Sequence, residues 1–209
     1  KTTGSGSLWN LPDIGGYILL TNNHVVTAQR CNLDKAYEYE SGSVILPHIL
    51  KAEKIVFNAY TDIGLFKIHQ DDPVVGGQNA YTPKDLNYQI NTLPRCGQKM
   101  LVGSPVITVG FPAFGVKEDS YNYGKTGTWS FRYNRIVSNG IISGYDNSVG
   151  PLPYSNYFVS AKIDSGNSGG IAFSKDKNGL CILGVPTWLT VGNYETQGLI
   201  QNINNIFYK

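Results

Sequence analysis

Ser168 stands in the stretch Asp164-Ser165-Gly166-Asn167-Ser168-Gly169-Gly170, flanked on both sides by glycine. Glycine in an ordered chain marks positive φ or close approach of backbone to another group. The serine is therefore expected to be presented rather than buried. Peptide N–H groups in such a turn can converge beside the hydroxyl, which makes an oxyanion hole next to a nucleophile. Gly166 and Ser168 would be the donors. A turn of Gly and Ser that merely joins two strands would have the same composition, so chain order has to discriminate. A serine nucleophile needs a base, nearly always histidine. The chain has three, His24, His48 and His69, all before Ser168. That order excludes the nucleophile elbow of α/β-hydrolases, where histidine comes last, and leaves His, Asp, Ser.

His24 follows Thr21-Asn22-Asn23 at the end of an apolar run and precedes Val25-Val26. Packing on either side fixes the backbone while the imidazole stays at the edge of the core, as a general base requires. His48 lies inside Val44-Ile45-Leu46-Pro47-His48-Ile49-Leu50 and fits a core histidine bonded to a carbonyl. His69 ends a strand among polar residues and reads as a solvated group. Asp62 opens a strand directly after the turn Tyr60-Thr61, where its carboxylate can meet the end of the His24 strand and hold Nδ1–H. Asp34, Asp71 and Asp72 lie in polar loops, where acidic side chains are usually solvated.

The elements that must position these groups are strands. Short β-branched runs separated by turn residues are expected over 4–10, 16–20, 43–50, 53–57 and 63–68, and again over 99–102, 105–110, 127–133, 135–143, 156–163, 170–174 and 180–188. A polar loop is expected at 112–126, and the apolar spacing at 199, 203, 206 and 207 predicts a short amphipathic helix. The chain divides into an N-terminal unit over 1–70 with His24 and Asp62, a connection over 71–98 rich in Pro, Gly, Asn and Gln, a C-terminal unit over 99–198 with Ser168, and the helix over 199–209. A cleft between two such units is where a ligand site is expected.

Composition sets the outer limits. With 209 residues, 41% of them hydrophobic, 15% charged and 24 glycines, the chain reads as an ordered, turn-rich, all-β protein. A net charge of +2 without Lys/Arg clusters gives no nucleic-acid footprint. No apolar run approaches the ~20 residues that a membrane span needs, and no signal peptide opens the sequence. Cys31, Cys96 and Cys181 lack metal-ligand spacing, so neither a metal nor a cofactor is expected. Cys181, within Leu180-Cys181-Ile182-Leu183, reads as a small buried hydrophobe. A Cys31–Cys96 or a Cys96–Cys181 bridge would also fit, and the odd count leaves one thiol over.

With Thr21-Asn22-Asn23-His24-Val25-Val26, Thr61-Asp62-Ile63-Gly64-Leu65, Val109-Gly110-Phe111-Pro112 and Gly166-Asn167-Ser168-Gly169-Gly170 in this order, the chain resembles the chymotrypsin-like serine endopeptidases. It is most similar to the bacterial trypsin-like branch of HtrA/Deg proteases and glutamyl endopeptidases. The resemblance runs from Gly4-Ser5-Gly6 to the expected C-terminal helix. It implies two six-stranded antiparallel β-barrels with the site at their interface. It further implies His24 as base, Asp62 as its orienting carboxylate, Ser168 as nucleophile, and Gly166 and Ser168 as oxyanion donors. By the same resemblance Gly184-Val185-Pro186-Thr187-Trp188 would pair with substrate backbone, and Lys162 would lie at the floor of the pocket for the residue preceding the scissile bond. A Lys162 ammonium pointing inward would favour an acidic side chain there. A lysine snorkelling outward would not.

The sequence departs from the HtrA pattern. Proline is missing near Ser165 and Ile171, Ser160 stands where an Asp is usual, and no PDZ-like segment follows Lys209. Asn167 replaces the acid that receives a new N-terminus in animal trypsins, and Lys1 matches that terminus poorly. A cysteine-type viral relative does not fit, since position 168 is Ser. The resemblance implies a secreted or periplasmic protein acting on protein or peptide substrates; its departures from the HtrA pattern weigh against the usual trimer, so a monomer is expected, with an oligomer as the alternative. The competing expectation is a catalytically silent β-barrel module that binds peptides or partner proteins.

Overall fold

The computed structural model describes residues 4–11, 16–27, 36–41, 44–50, 52–57, 60–68, 93–97, 99–111, 117–118, 131–132, 135–147, 152–164, 166–191 and 195–207. Alternation of apolar and polar residues builds two antiparallel assemblies. The N-terminal half has β1 (Ser7–Leu11), β2 (Gly16–Asn22), a single helical turn α1 (Asn23–Thr27), β3 (Ala36–Ser41), β4 (Val44–Leu50), β5 (Ala52–Phe57) and β6 (Ile63–Ile68). There β1-β2-β6-β5 form a four-stranded sheet, and β3 pairs with β4 as a separate hairpin. The C-terminal half has β7 (Pro105–Gly110), a two-stranded pair of β8 (Lys117–Glu118) and β9 (Phe131–Arg132), then β10 (Ile136–Asp146), β11 (Asn156–Val159), β12 (Ile171–Asp176), β13 (Gly179–Val191) and β14 (Glu195–Asn202). Six of these close a barrel in the order β10-β11-β14-β13-β12-β7.

The all-β class and one six-stranded barrel match the expectation. A second closed barrel is not seen among the described residues, where the N-terminal sheet and hairpin share no pairing. The barrel closes because β13 serves two neighbours in turn. It pairs with β12 through Gly179–Gly184 and with β14 through Gly184–Val191. At the changeover a Cβ on Gly184 would lie 1.9 Å from the Gln201 carbonyl oxygen, so only glycine fits.

Period-two alternation sends side chains to two cores. Val106, Ile142, Tyr157, Val159, Ala172, Cys181, Leu183 and Ile200 fill the barrel. On the outer face of the same strands, Ile171 and Ile182 join Trp9, Ile18, Leu20, Ile63 and Leu65 of the N-terminal sheet, together with Ile203 and Ile206. Trp9 meets Phe173 edge-on, with ring centroids 5.9 Å apart. Burying each such side chain is worth about 1.5–3 kcal/mol, so the two halves share one stabilising interior.

Two expectations are corrected. The helix expected over 199–209 is the end of β14 followed by a 3₁₀ turn at Ile203–Phe207. Pairing of Leu199 and Ile200 with both β11 and β13 overrides their helical spacing. Residues 99–102 are not a strand but lead into a turn over 101–104, closed by Ser104 N–H on Leu101 O at 3.0 Å with Gly103 at φ 89° inside it. Cys181 is fully buried, as expected, and is bonded to Cys96, one of the two pairings that the sequence leaves open. The bridge anchors segment 93–97 to β13, where Cys96 N–H donates to Ile182 O and Ile182 N–H to Pro94 O. Cys31, His69, most of the connection expected over 71–98 and most of the loop at 112–126 lie outside the described residues.

Tyr157 ties the turn near Met100 to β14, accepting Met100 N–H at 3.3 Å and donation from Asn202 Nδ2 at 3.1 Å. Burial pushes its hydroxyl pKa up, with Tyr145 adding to the effect and the two hydrogen bonds opposing it. A phenol that stays protonated in the fold binds more protons than in the unfolded chain above pH ~10, so its contribution falls as pH rises through that region. Urea unfolding is expected to show stability declining above pH ~10, with a shallower decline in Tyr157→Phe. Equal slopes would remove Tyr157 as the cause. The bridge closes a loop of 85 residues, worth about 4 kcal/mol in chain entropy. Cys96→Ala with Cys181→Ala should lower Tm by roughly 10 °C, and a non-reducing peptide map joining Cys31 to either partner would overturn the pairing.

Candidate active site

The site begins with the register of β2 on β6. Asn22 pairs with Ile63 at the end of the ladder, so the chain leaving β2 at Asn23 faces the chain entering β6 at Asp62. Asn23 N–H donates to Asp62 O at 3.1 Å, and α1 starts there. His24 N–H, in the first turn, donates to Asp62 Oδ1 at 2.8 Å. The carboxylate thus satisfies a helix-start N–H that has no partner within the turn. Its other oxygen, Oδ2, accepts from His24 Nδ1 at 2.5 Å. An imidazole held at Nδ1 by a carboxylate presents Nε2 as its basic nitrogen. The His24 side chain is 47% exposed and that of Asp62 25%, an arrangement open to solvent on the imidazole side.

Asn22 carries no mark of a site residue in the sequence. It is fully buried, and its Nδ2 donates both to Asp62 O at 2.7 Å and to Thr187 Oγ1 at 2.8 Å. One amide therefore links the carboxylate's own backbone to β13. The only sequence cue was a polar side chain at a strand end, common enough at turns to pass as a cap.

Ser168 lies in the turn between residue 164 and β12. Positive φ occurs at Gly166 (94°) and Gly169 (89°), as the glycine spacing suggests. Asn167, Gly169 and Gly170 spend their N–H groups on Asp164 O, Pro186 O and Asn167 O. Among the described residues Gly166 enters hydrogen bonding through its carbonyl, which accepts from Ser5 Oγ at 2.6 Å. The expectation that the serine stands presented is corrected, since Ser168 is only 6% exposed. The loop is walled by the N-terminal segment: Ser5 N–H donates to Ser168 O, and a Cβ on Gly169 would lie 2.1 Å from Ser5 O and 2.3 Å from Thr21 Oγ1. Thr21 belongs to β2, three residues before His24, so the serine loop packs on the strand that delivers the histidine.

Gly184-Val185-Pro186-Thr187-Trp188 lies in β13, paired with β14 on one side. On the other side Pro186 O accepts Gly169 N–H and Thr187 Oγ1 accepts Asn22 Nδ2. Lys162 follows β11, its side chain 73% exposed and its ammonium 3.4 Å from Asp164 Oδ2. The side chains of His48 and Trp188 lie outside the described residues, as does Ser165.

A family model described as a trypsin-like peptidase domain matches residues 4–182. No curated protein matches the chain. The MamO protease domain from Magnetospirillum magneticum superimposes with a TM-score of 0.59 at 13% identity, covering 98% of this chain and 86% of that one. Deg5 gives 0.57 at 18% identity, covering 99% and 80%. The HtrA-type protease AlgW with a decapeptide gives 0.56 at 17% identity, covering 97% of this chain and 49% of that one. At these identities the likeness is one of fold, and the fold is that of HtrA/Deg-type proteases.

Removing the Asn22 amide breaks two buried hydrogen bonds at once. Asn22→Ala should therefore destabilise the protein by about 2 kcal/mol in urea unfolding. A loss below about 0.5 kcal/mol would show the link between Asp62 and β13 to be incidental.

Proposed function

The chain belongs to the trypsin-like peptidase family, and from that premise we propose that it is a serine endopeptidase acting through His24, Asp62 and Ser168. The observation that supports this most directly is the His24–Asp62 pair, with Asp62 gripping both the backbone and the ring of His24. In the proposed reaction Ser168 Oγ attacks the scissile carbonyl carbon while its proton passes to His24 Nε2. The oxyanion is received by the N–H groups of Gly166 and Ser168. As the C–N bond breaks, imidazolium gives the proton to the leaving amine, and water then hydrolyses the acyl-enzyme by the same steps in reverse. Asp62 fixes the Nδ1–H tautomer of the neutral ring and stabilises the imidazolium when it forms. An extended substrate would lie along β13 near Gly184–Trp188.

The Lys162–Asp164 pair bears on selectivity. An exposed ion pair already neutralised by its neighbour is worth about 1 kcal/mol or less, too little to select an acidic side chain strongly. A disulfide persists in oxidising compartments, so the Cys96–Cys181 bridge supports a secreted or periplasmic location. Among the described residues no helix is long and apolar enough to cross a membrane. We take the protein to act as a monomer on protein or peptide substrates. The burial of Ser168 favours one second reading, a silent module that binds peptides without cleaving them.

A fluorophosphonate probe decides between the two. Labelling of the wild type at Ser168, with cleavage of an unstructured protein falling on the order of 10⁴–10⁶ in kcat for Ser168→Ala, is the expected outcome. An unlabelled, folded wild type would leave the silent module. In a peptide library, Lys162→Ala should alter the preference for Glu over Leu before the scissile bond by less than about fivefold, and a larger change would place the ammonium in the pocket.

A further inference from the structure

The nucleophile loop is rich in glycine, and a glycine at φ 94° has no side chain of its own to hold it. Something outside the loop must therefore fix its shape. Ser5 is bonded at every polar atom, two of them to the loop. Its Oγ donates to Gly166 O at 2.6 Å and accepts Phe111 N–H at 2.7 Å, its N–H donates to Ser168 O at 2.8 Å, and its carbonyl accepts Thr21 Oγ1–H at 2.7 Å. The residue is 5% exposed. No room is left around it: a Cβ on Gly4 would lie 2.3 Å from Val25 Cγ1, directly after His24, and a Cβ on Gly169 would strike Ser5 O.

We propose that Ser5 is a positioning residue that fastens the peptide of Gly166 and the backbone of Ser168 to the strand delivering His24. It touches no reacting atom and acts through Gly166 and Ser168. Holding the Gly166 carbonyl restrains the peptide beside the oxyanion donor, and holding the Ser168 carbonyl restrains the nucleophile's backbone. The entropy of ordering the loop is then met during folding instead of at the transition state. The device is electrically neutral, a hydroxyl and two peptide groups, and it does with hydrogen bonds from within the chain what a buried ion pair would do with charge. The inference rests on the reading of Ser168 as nucleophile.

Ser5→Ala leaves Gly166 O and Phe111 N–H without their partner. Peptide hydrolysis should show kcat lowered about 10- to 100-fold with KM within about twofold, the effect of a misplaced donor rather than of weaker binding. Hydrogen exchange, which does not depend on activity, should show the amides of Gly169 and Gly170 exchanging at least about tenfold faster while β10 and β14 are unchanged. Thr21→Val, which removes only the bond to Ser5 O, should give a smaller effect in the same direction and serves where Ser5→Ala does not fold. Unchanged kcat and unchanged exchange at 166–170 would overturn the proposal, as would a loss confined to KM. A wild type that neither cleaves nor takes the fluorophosphonate would refute the protease reading instead, and the exchange measurement alone would then judge the clamp.

Discussion

Everything at the site depends on one ladder register. Pairing Asn22 with Ile63 sets Asp62 beside the start of α1, and from that single alignment the carboxylate reaches both the backbone and the ring of His24. A slip by one residue would turn Ile18 and Leu20 out of the shared interior and carry Asp62 away from the imidazole together. The hydrophobic pattern and the polar pair are thus enforced by the same constraint. Buried Ile18, Leu20, Ile63 and Leu65 specify the register, and Asp62 and His24 depend on it.

The second half is tied to that register through few but buried links. Asn22 reaches Thr187, Thr21 reaches Ser5, and Ser5 reaches Gly166 and Ser168. These polar links run beside an apolar contact made by Ile171, Ile182 and Val185 against Trp9 and Leu20. The apolar part supplies most of the free energy and little direction. The hydrogen bonds supply direction, because an unmade one inside such an interior costs about 1–3 kcal/mol.

The sequence made some of this legible. Asp62 could be singled out because it opens a strand after a turn, whereas the other aspartates weighed lie in polar loops. The glycines around Ser168 announced a backbone with positive φ. Other parts were hidden for physical reasons. Leu199, Ile203 and Ile206 have helical spacing, and only the pairing of β14 with two neighbours shows why 199–202 stays extended. Ala36–Ser41 alternates Tyr with Glu over only four residues between polar stretches, a strand signal too short to stand out from the sequence, and it pairs with β4. The choice among cysteine pairings needed the fold, since it depends on segment 93–97 lying against β13. Ser5 fell within the strand expected over 4–10, and nothing in Gly-Ser-Gly-Ser marks it as the residue that bonds to both Gly166 and Ser168.

The bond from Ser5 to Gly166 joins residues 161 positions apart. Contacts so distant along a chain close late, after the intervening segments have collapsed. A ribosome that has not yet made residue 168 holds a polypeptide with a histidine and an aspartate and nothing for them to activate. The loop's shape then waits for residues made much earlier to dock against it. Under the proposed function, that order would spare the cell's own nascent proteins from a half-built hydrolase, because cleavage anywhere between Ser5 and Gly166 before they meet would leave the loop without its fastening.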